Sequence, residues 1–336
     1  MAGWGDDESI LKEKNQMEWL KGRVKEMSSW SGASLIVLGA FIVLGGPFIK
    51  LLAWAAIIWG VISIVKKEGN MPRKLSKDFS WKNATFMAKL SKFAYSGEEE
   101  FKKVFSKQWD DITFISNGGT ECYILTCPKN YIVAFRGTEP TSWEDVKADI
   151  QFTKQEKTYA TNSTGLKAHG KMHKGFRAAL EDVWKTLHTH YKKHGVGKQL
   201  LVTGHSLGAA LATLYSDRIA DMNSACYTFG SPRVGDKQLI QNMNFTCYRV
   251  RNNNDIVTRV PPEWIGYTHK SNQLVYFDVD GIPRYGFSRG FMFMQWLKGT
   301  YRGFMRNKTW DAFADHSMGD YYNLCKRQLA EENASD

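Results

Sequence analysis

The clearest chemical signal in the chain is a serine held between two glycines. An apolar run leads directly into Gly204-His205-Ser206-Leu207-Gly208, and an alanine-rich stretch follows. A strand-forming run, a G-x-S-x-G pentapeptide and a helix-forming stretch in this order are typical of a nucleophilic serine on a sharp turn. The two glycines let the strand and the helix approach closely, and His205 is expected to be structural. The pattern predicts that Ser206 is a nucleophile and that the backbone N–H of Leu207 stabilises an oxyanion.

A serine nucleophile needs a general base within hydrogen-bonding reach and an acidic group that orients this base. Where the serine lies on such a turn, the acid and then the histidine follow it along the chain. Two histidines follow Ser206, and these are His269 and His316. His316 lies in a loop before a C-terminal helical stretch, so its imidazole can reach the serine. The sequence favours His316 as the base and keeps His269 as the alternative.

The acidic partner is expected at the carboxyl end of a strand. Asp255 follows a predicted strand at 246–250 and a run of three asparagines. A carboxylate in this place lies at the sheet edge where α/β proteins bind their ligands. Asp278 and Asp280 are alternatives, but the run 274–279 followed by Asp-Gly predicts a hairpin turn. Asp255 is therefore favoured.

Short apolar runs alternate with helical stretches from about residue 86 onward. Strands are predicted at 123–126, 131–135, 199–203, 225–229 and 246–250, and helices at 176–190 and 207–222. This alternation predicts βαβ units and a mostly parallel sheet. The fold class is therefore α/β, with the domain assigned to residues 86–336.

The N-terminal part of the chain has a different pattern. Residues 1–30 carry an apolar seam and predict an amphipathic helical segment. Residues 33–65 are apolar except for Lys50, and Gly45-Gly46-Pro47 interrupts them. This predicts a hydrophobic helical hairpin at 31–66 in a membrane, followed by a basic linker at 67–85. The alternative is a hairpin that packs on a soluble domain.

Charge and cysteine content suggest a location and a partner. Basic residues lie on both sides of the hairpin, which favours the catalytic domain on the cytoplasmic side of a membrane. The five cysteines match no zinc pattern and are expected to be buried or free thiols in a reducing compartment. The net charge of +11 favours an anionic lipid surface, since no nucleic-acid motif occurs, with a general solubility charge as the alternative. Cations mixed with aromatics at 281–310 suit such a surface, or a capping subdomain with an aromatic core.

Several segments resemble, in order, the sequence blocks of the lipase class 3 family of fungal-type triacylglycerol lipases. The matching blocks lie at 131–138, 143–149, 173–176, 204–208, 227–236, 249–262 and 315–321. The resemblance covers residues 86 to 325. It implies an α/β-hydrolase fold and a catalytic triad of Ser206, Asp255 and His316.

The resemblance also implies roles that the residues alone do not assign. The backbone N–H of Thr138, with its hydroxyl, is expected to supply the second oxyanion donor. A short amphipathic helix at 139–150 is expected to act as a lid over the site, with Trp143, Val146 and Ile150 on its apolar face. The alternative for that segment is a fixed surface helix.

The predicted function is a membrane-associated serine hydrolase that cleaves carboxylic ester bonds of lipids through an acyl-enzyme, without a metal or cofactor. A phospholipid, a diacylglycerol, a monoacylglycerol or a triacylglycerol fits as substrate, and the positive charge slightly favours a phospholipid. One alternative is a lipid transacylase with the same triad. Another is a non-catalytic membrane scaffold with a hydrolase fold. The oligomeric state is not predicted.

Overall fold

The computed structural model describes residues 75–138, 154–156, 170–305 and 315–335. All of them lie in the compact unit Pro72–Asp336. The predicted N-terminal helical segment, the hairpin at 31–66 and the lid with Trp143, Val146 and Ile150 lie outside the described residues.

Eight of the described strands form one mixed sheet in the order β1-β2-β3-β6-β7-β8-β9-β10. Their bounds are β1 Asp111–Asn117, β2 Thr120–Thr126, β3 Asn130–Phe135, β6 Gln199–His205, β7 Ala225–Phe229, β8 Thr246–Asn252, β9 Gln273–Phe277 and β10 Pro283–Arg284. The strands from β3 to β9 in this order run parallel, while β1, β2 and β10 join antiparallel at the two edges. A separate pair consists of β4 Lys154–Glu156 and β5 Lys171–His173. The predicted α/β fold with a mostly parallel sheet is confirmed.

Helices cover both faces of this sheet. They are α1 Trp81–Phe93, α2 Glu98–Phe105, α3 Lys174–His194, α4 Leu207–Ile219, α5 Lys237–Asn242, α6 Arg289–Met305 and α7 Met318–Ser335. Every residue of β6 is buried. Leu200 and Val202 pack in a core with α3 and α4, whereas Leu201 packs in a second core with α1 and α7. Because successive side chains of a strand point to opposite faces, a strand between two helical layers is apolar throughout.

The domain begins earlier than the predicted boundary at residue 86. The Phe79 ring lies 5.4 Å from the Tyr248 ring. The backbone N–H of Leu75 donates to Asn130 Oδ1 over 2.9 Å, and Tyr227 donates its hydroxyl to the Asp78 carbonyl. Residues 75–85 were predicted to belong to a basic linker, and they instead pack on the sheet because their aromatic and apolar side chains complete the second core.

The basic and aromatic segment after β9 forms two elements. β10 pairs antiparallel with β9, as the predicted hairpin requires, and α6 follows. On α6, Phe293, Trp296 and Tyr301 are 57%, 38% and 64% exposed. These three side chains therefore do not form the aromatic core of a capping subdomain.

Among the helices of the described ranges, none combines the length and the apolar character that crossing a membrane requires.

Candidate active site

Ser206 lies on a strained turn between β6 and α4. Its backbone angles are φ 58° and ψ −128°, so a non-glycine residue occupies a region that side chains disfavour. A Cβ on Gly204 would collide with the backbone carbonyl group of Gly208. A Cβ on Gly208 would lie 2.5 Å from the carbonyl oxygen of Phe135. Both glycines are therefore needed for β6, α4 and the neighbouring strand to meet at this turn.

The Ser206 side chain stands at the N-terminus of α4 without capping it. Ser206 occupies the N-cap position, yet its hydroxyl makes no capping hydrogen bond to the helix. The side-chain oxygen of a serine at an N-cap normally accepts a hydrogen bond from a backbone N–H of the first turn of the helix. The hydroxyl oxygen is thus left available for chemistry, at a helix end that favours negative charge.

His316 and Asp255 form a buried pair. His316 Nδ1 lies 2.9 Å from Asp255 Oδ2, and both side chains are buried. Because the carboxylate only accepts, Nδ1 carries the hydrogen and Nε2 is the nitrogen that can take a proton. The carboxylate also accepts from the hydroxyl of Tyr321 at 2.6 Å and from the N–H of Val257 at 2.9 Å. Three donors therefore fix the orientation of Asp255.

The turn after β7 joins this pair to the nucleophile. The N–H of Ser206 donates to the carbonyl of Phe229 over 3.0 Å. The next residue, Gly230, has φ 58°, and a Cβ there would lie 2.8 Å from Asp255 Oδ2 and 2.9 Å from the His316 ring. A side chain at Gly230 would thus displace the pair. Ser206 follows β6 and Asp255 follows β8, and the turn after β7, the strand between them, contacts both the Ser206 backbone and the Asp255–His316 pair.

Asp315 connects the loop that carries Asp255 with the loop that carries His316. Its Oδ2 accepts from Asn253 Nδ2 and from the N–H of Asn254, each over 3.0 Å. Its carbonyl accepts from Asn252 Nδ2 over 3.0 Å. The three asparagines before Asp255 thus hold the residue beside His316.

A second histidine supports the first. His205 Nε2 lies 2.8 Å from the His316 carbonyl oxygen, and its Nδ1 lies 2.8 Å from the Tyr95 hydroxyl. A carbonyl only accepts, so Nε2 carries the hydrogen and Nδ1 accepts from Tyr95. The rings of His205 and His316 are 4.4 Å apart between centroids. His205 and Tyr95 are therefore positioning residues for the His316 loop.

The expected pH dependence of stability follows from His205. Burial, and then the neighbouring His316, lower the pKa of His205 well below its ordinary value of 6.5. The unfolded chain binds a proton at this histidine below about pH 6.5, while the folded chain does not, so stability is lost as the pH falls. The loss due to this one group is about 1.4 kcal/mol per pH unit below that value.

Denaturant unfolding of the wild-type chain and of His205→Gln between pH 5 and pH 7.5 measures this effect. We expect the variant to be less stable at pH 7.5 but to lose less stability on acidification. Parallel pH profiles for the two proteins would contradict a neutral, buried His205.

Of the two predicted oxyanion donors, Leu207 follows the serine in the chain, and Thr138 follows a residue that lies close to the serine in space. Leu207 is the first residue of α4. The first N–H groups of a helix have no partner within it, so they can face an anion. A Cβ on Gly137 would lie 3.3 Å from Ser206 Cβ, and Thr138 is the next residue.

The alternatives for the base and the acid have other partners. His269 Nε2 lies 2.8 Å from the carbonyl oxygen of Thr258. Asp278 accepts from the N–H groups of Asp280 and Ile282 and pairs with Arg284 over 2.8 Å. This is the turn arrangement that the sequence predicts for Asp278 and Asp280.

One segment of the chain resembles a known protein family. Residues 132–264 match the family model described as Lipase (class 3). This segment of the chain is therefore similar to the lipase class 3 family, as the sequence blocks predict.

Individual relatives match over part of their length. A secreted mono- and diacylglycerol lipase of Malassezia globosa is 36% identical over 159 residues, which are 43% of this chain and 50% of that protein. A lipase of Rhizopus niveus is 29% identical, over 45% of this chain and 40% of that protein. The chain thus spans about half the length, or less, of these relatives. The structure of a triacylglyceride lipase of Rhizomucor miehei aligns with a TM-score of 0.46 at 23% identity, over 58% of this chain and 79% of that one.

The predicted location of the catalytic domain is wrong. The similar proteins of Malassezia globosa and Fusarium solani are secreted lipases, which conflicts with catalysis at the cytoplasmic side of a membrane. The prediction rested on charges that flank an apolar segment, and such charges orient a segment only where it spans a membrane.

Proposed function

We propose that this chain is a serine hydrolase that cleaves carboxylic ester bonds of lipids. The observation that carries the proposal is the buried His316–Asp255 pair, 2.9 Å apart, beside a serine with φ 58° at the head of α4. A histidine oriented by a carboxylate is the general base that turns a serine hydroxyl into a nucleophile.

In the proposed reaction, Ser206 Oγ attacks the ester carbonyl carbon while His316 Nε2 takes the hydroxyl proton. The carbonyl oxygen becomes an oxyanion, which the N–H groups of Leu207 and Thr138 stabilise, with the Thr138 hydroxyl helping. His316 then gives the proton to the departing alcohol, and an acyl-Ser206 ester remains. Water attacks this ester in the same way, the fatty acid leaves, and Ser206 regains its proton.

The relatives support a lipid ester as the substrate class. Proteins of Malassezia globosa and Fusarium solani that resemble this chain are mono- and diacylglycerol lipases, and those of the two Rhizopus species are lipases. The exposed side chains of α6 fit contact with the surface of a lipid aggregate, because Phe293, Met294 and Leu297 are apolar and at least 40% exposed. Acylglycerols and phospholipids both belong to the proposed range.

The test combines labelling with product analysis on the full chain. A fluorophosphonate probe is expected to modify Ser206 alone, as read by mass spectrometry of the digested protein. Emulsified mono-, di- and triacylglycerol and phosphatidylcholine vesicles are then assayed for released fatty acid, with and without an added lipid alcohol. A folded chain that takes no label at Ser206 would overturn the proposal. Acyl transfer to the alcohol in place of fatty acid release would point to a transacylase.

A further inference from the structure

Four arginines lie close together beyond the acid loop, and most of them have no acidic partner among the residues that the structure describes. They are Arg233, Arg249, Arg251 and Arg259, which come from the turn after β7, from β8 and from the short helix after Asp255. Arg233 pairs with Glu263 over 2.8 Å, and that carboxylate is 72% exposed. Within the described part of the chain, the other three form no ion pair. The cluster therefore holds more positive charge than its own carboxylates neutralise.

In the described ranges, several donor atoms of the cluster are buried without a hydrogen-bond partner. These atoms are Nε of Arg233, Nε of Arg249, and both Nε and Nη2 of Arg251. Arg251 makes one contact of another kind, since its guanidinium lies 5.5 Å from the centre of the Tyr276 ring. Buried donors on charged groups are costly to leave unsatisfied. Such an arrangement is typical of a site that meets a ligand.

The charges also act on one another. Burial, and next to it Arg251, lower the pKa of Arg249 to about 10. The same two causes, in the same order, lower the pKa of Arg259. An anion placed between these groups would relieve the repulsion that Arg251 exerts on both.

Three of the four arginines open onto a cavity that α6 lines with apolar side chains. The cavity has a volume of about 430 Å³. It is lined by Arg233, Arg251 and Arg259, by Pro262 and Glu263, and by Met292, Phe293 and Trp296 of α6. We call it the arginine cavity. This size and this mixture of few polar groups with apolar walls are usual for small-molecule sites.

We propose that the arginine cavity binds an amphiphile with an oxyanion head, a carboxylate or a phosphate, whose hydrocarbon chain lies against α6. Arginine suits this head because its planar donors pair with two oxygens of a carboxylate or phosphate at once. The two unpartnered donors of Arg251 offer such a pair, and Phe293 and Trp296 offer the surface for the chain. The head belongs either to a free fatty acid or to a phosphorylated lipid.

The cavity lies next to the loop that carries Asp255. Asn254 donates its Nδ2 to the carbonyl of Trp296 over 3.4 Å, and Arg259 Nη2 lies 3.4 Å from Asn254 Oδ1. An occupant therefore contacts both α6 and the residues that hold the acid loop. The binding itself does not require that the chain hydrolyse esters, so it is tested apart from the proposed function.

The experiment measures binding of decyl phosphate, decanoate and neutral decanol, each below its critical micelle concentration, by titration calorimetry on the full chain. We expect one site per chain and at least about tenfold tighter binding of either anion than of decanol. Decyl phosphate binding tighter than decanoate indicates a phosphorylated lipid, and the reverse order indicates a fatty acid. Inorganic phosphate alone is expected to bind more weakly than decyl phosphate because it lacks the chain.

Arg251→Met is the decisive variant, because the Arg251 guanidinium makes no hydrogen bond to another described residue whose loss would disturb the fold. It is expected to weaken anion binding at least about tenfold, with Arg251→Lys between it and the wild type. Arg302→Met is the matched control, since Arg302 lies on α6 and pairs with Asp280 over 2.8 Å, outside the cavity. Arg302→Met removes one positive charge, as Arg251→Met does, but at a distance from the cavity. Anion binding is therefore expected to change less than about twofold in this control.

Two results would overturn the proposal. One is a wild-type chain that binds decyl phosphate and decanoate no tighter than decanol, a comparison that decides even if Arg251→Met fails to fold. The other is equal weakening in Arg251→Met and Arg302→Met, which would mean a general charge effect. Repeating the titration with Ser206→Ala separates this site from the proposed one, because binding is expected to persist where hydrolysis is lost.

Discussion

Replacing Ser206 with alanine is expected to lower the rate of lipid ester hydrolysis at least about 10⁴-fold and to leave the fold intact. The rate falls because no other group at this turn supplies the oxygen that attacks the ester. The fold persists because the Ser206 hydroxyl makes no capping hydrogen bond to α4. A residue at φ 58° is strained as serine and as alanine alike, so the strain does not change. We expect a change of less than about 1 kcal/mol in the free energy of unfolding.

Ser231→Ala is the matched control for this experiment. Ser231 is also a buried serine after a parallel strand, and its hydroxyl donates to the carbonyl of Pro232 over 2.9 Å. Fatty acid release from an acylglycerol emulsion, followed by titration at constant pH, compares the two variants. Ser231→Ala is expected to retain turnover within about threefold. The loss of a neutral hydrogen bond lowers the stability of the fold but leaves the nucleophile in place. Substantial turnover in Ser206→Ala would assign the nucleophile elsewhere.

The parts of the molecule that could be predicted from the sequence are those that local chemistry determines. The G-x-S-x-G pentapeptide predicts a turn, and the observed φ of Ser206 together with the close approach of Gly204 and Gly208 is that turn. Apolar runs predict buried strands, and the predicted strand at 225–229 has the bounds of β7, Ala225–Phe229. Polar residues after β8 predict a loop at the sheet edge, where Asp255 lies.

The parts that could not be predicted depend on contacts between distant segments. Tyr95 lies 110 residues before His205 and belongs to no motif, so nothing in the sequence connects its hydroxyl with the imidazole. The position of His205 beside the serine is the one feature of the sequence that indicates a role for it. Its hydrogen bond to the His316 carbonyl depends on how the C-terminal loop packs. Tyr321 lies in one of the segments that resemble the family, but the sequence assigns it no role. In the fold, its hydroxyl donates to Asp255 Oδ2.

The early domain boundary and the arginine cavity could not be predicted from the sequence for the same reason. Residues 75–85 contain basic side chains that suggest a linker, yet the Phe79 ring also contacts rings on β7 and β8, more than a hundred residues away. The arginine cavity draws its wall from the turn after β7, from β8 and from α6. The net charge of the sequence favours an anionic partner. Where the positive charge is concentrated depends on the fold.

Replacing Asp255 with asparagine is expected to reduce turnover about 10³- to 10⁴-fold, the second large effect. The carboxylate accepts from His316 Nδ1 and Tyr321 on Oδ2, and from Val257 on Oδ1. An amide has one accepting oxygen in place of two. If that oxygen stays with Val257, the amide N–H₂ faces His316 and forces the hydrogen onto Nε2, the nitrogen that must take the Ser206 proton. If the amide turns round, the Val257 N–H loses its acceptor and the loop loses support.

Asp278→Asn separates this effect from the general loss of a buried carboxylate. Asp278 is 2% exposed, lies beyond the neighbouring strand β9 and pairs with Arg284, so its replacement costs a comparable set of charged contacts. It is expected to lower the midpoint of denaturant unfolding but to keep kcat within about threefold, because stability lost in a turn does not move the base. In Asp255→Asn, kcat should fall with little change in KM, since the acid acts on proton transfer and not on lipid binding. Equal losses of kcat in both variants would mean that Asp255 supports the fold without orienting His316.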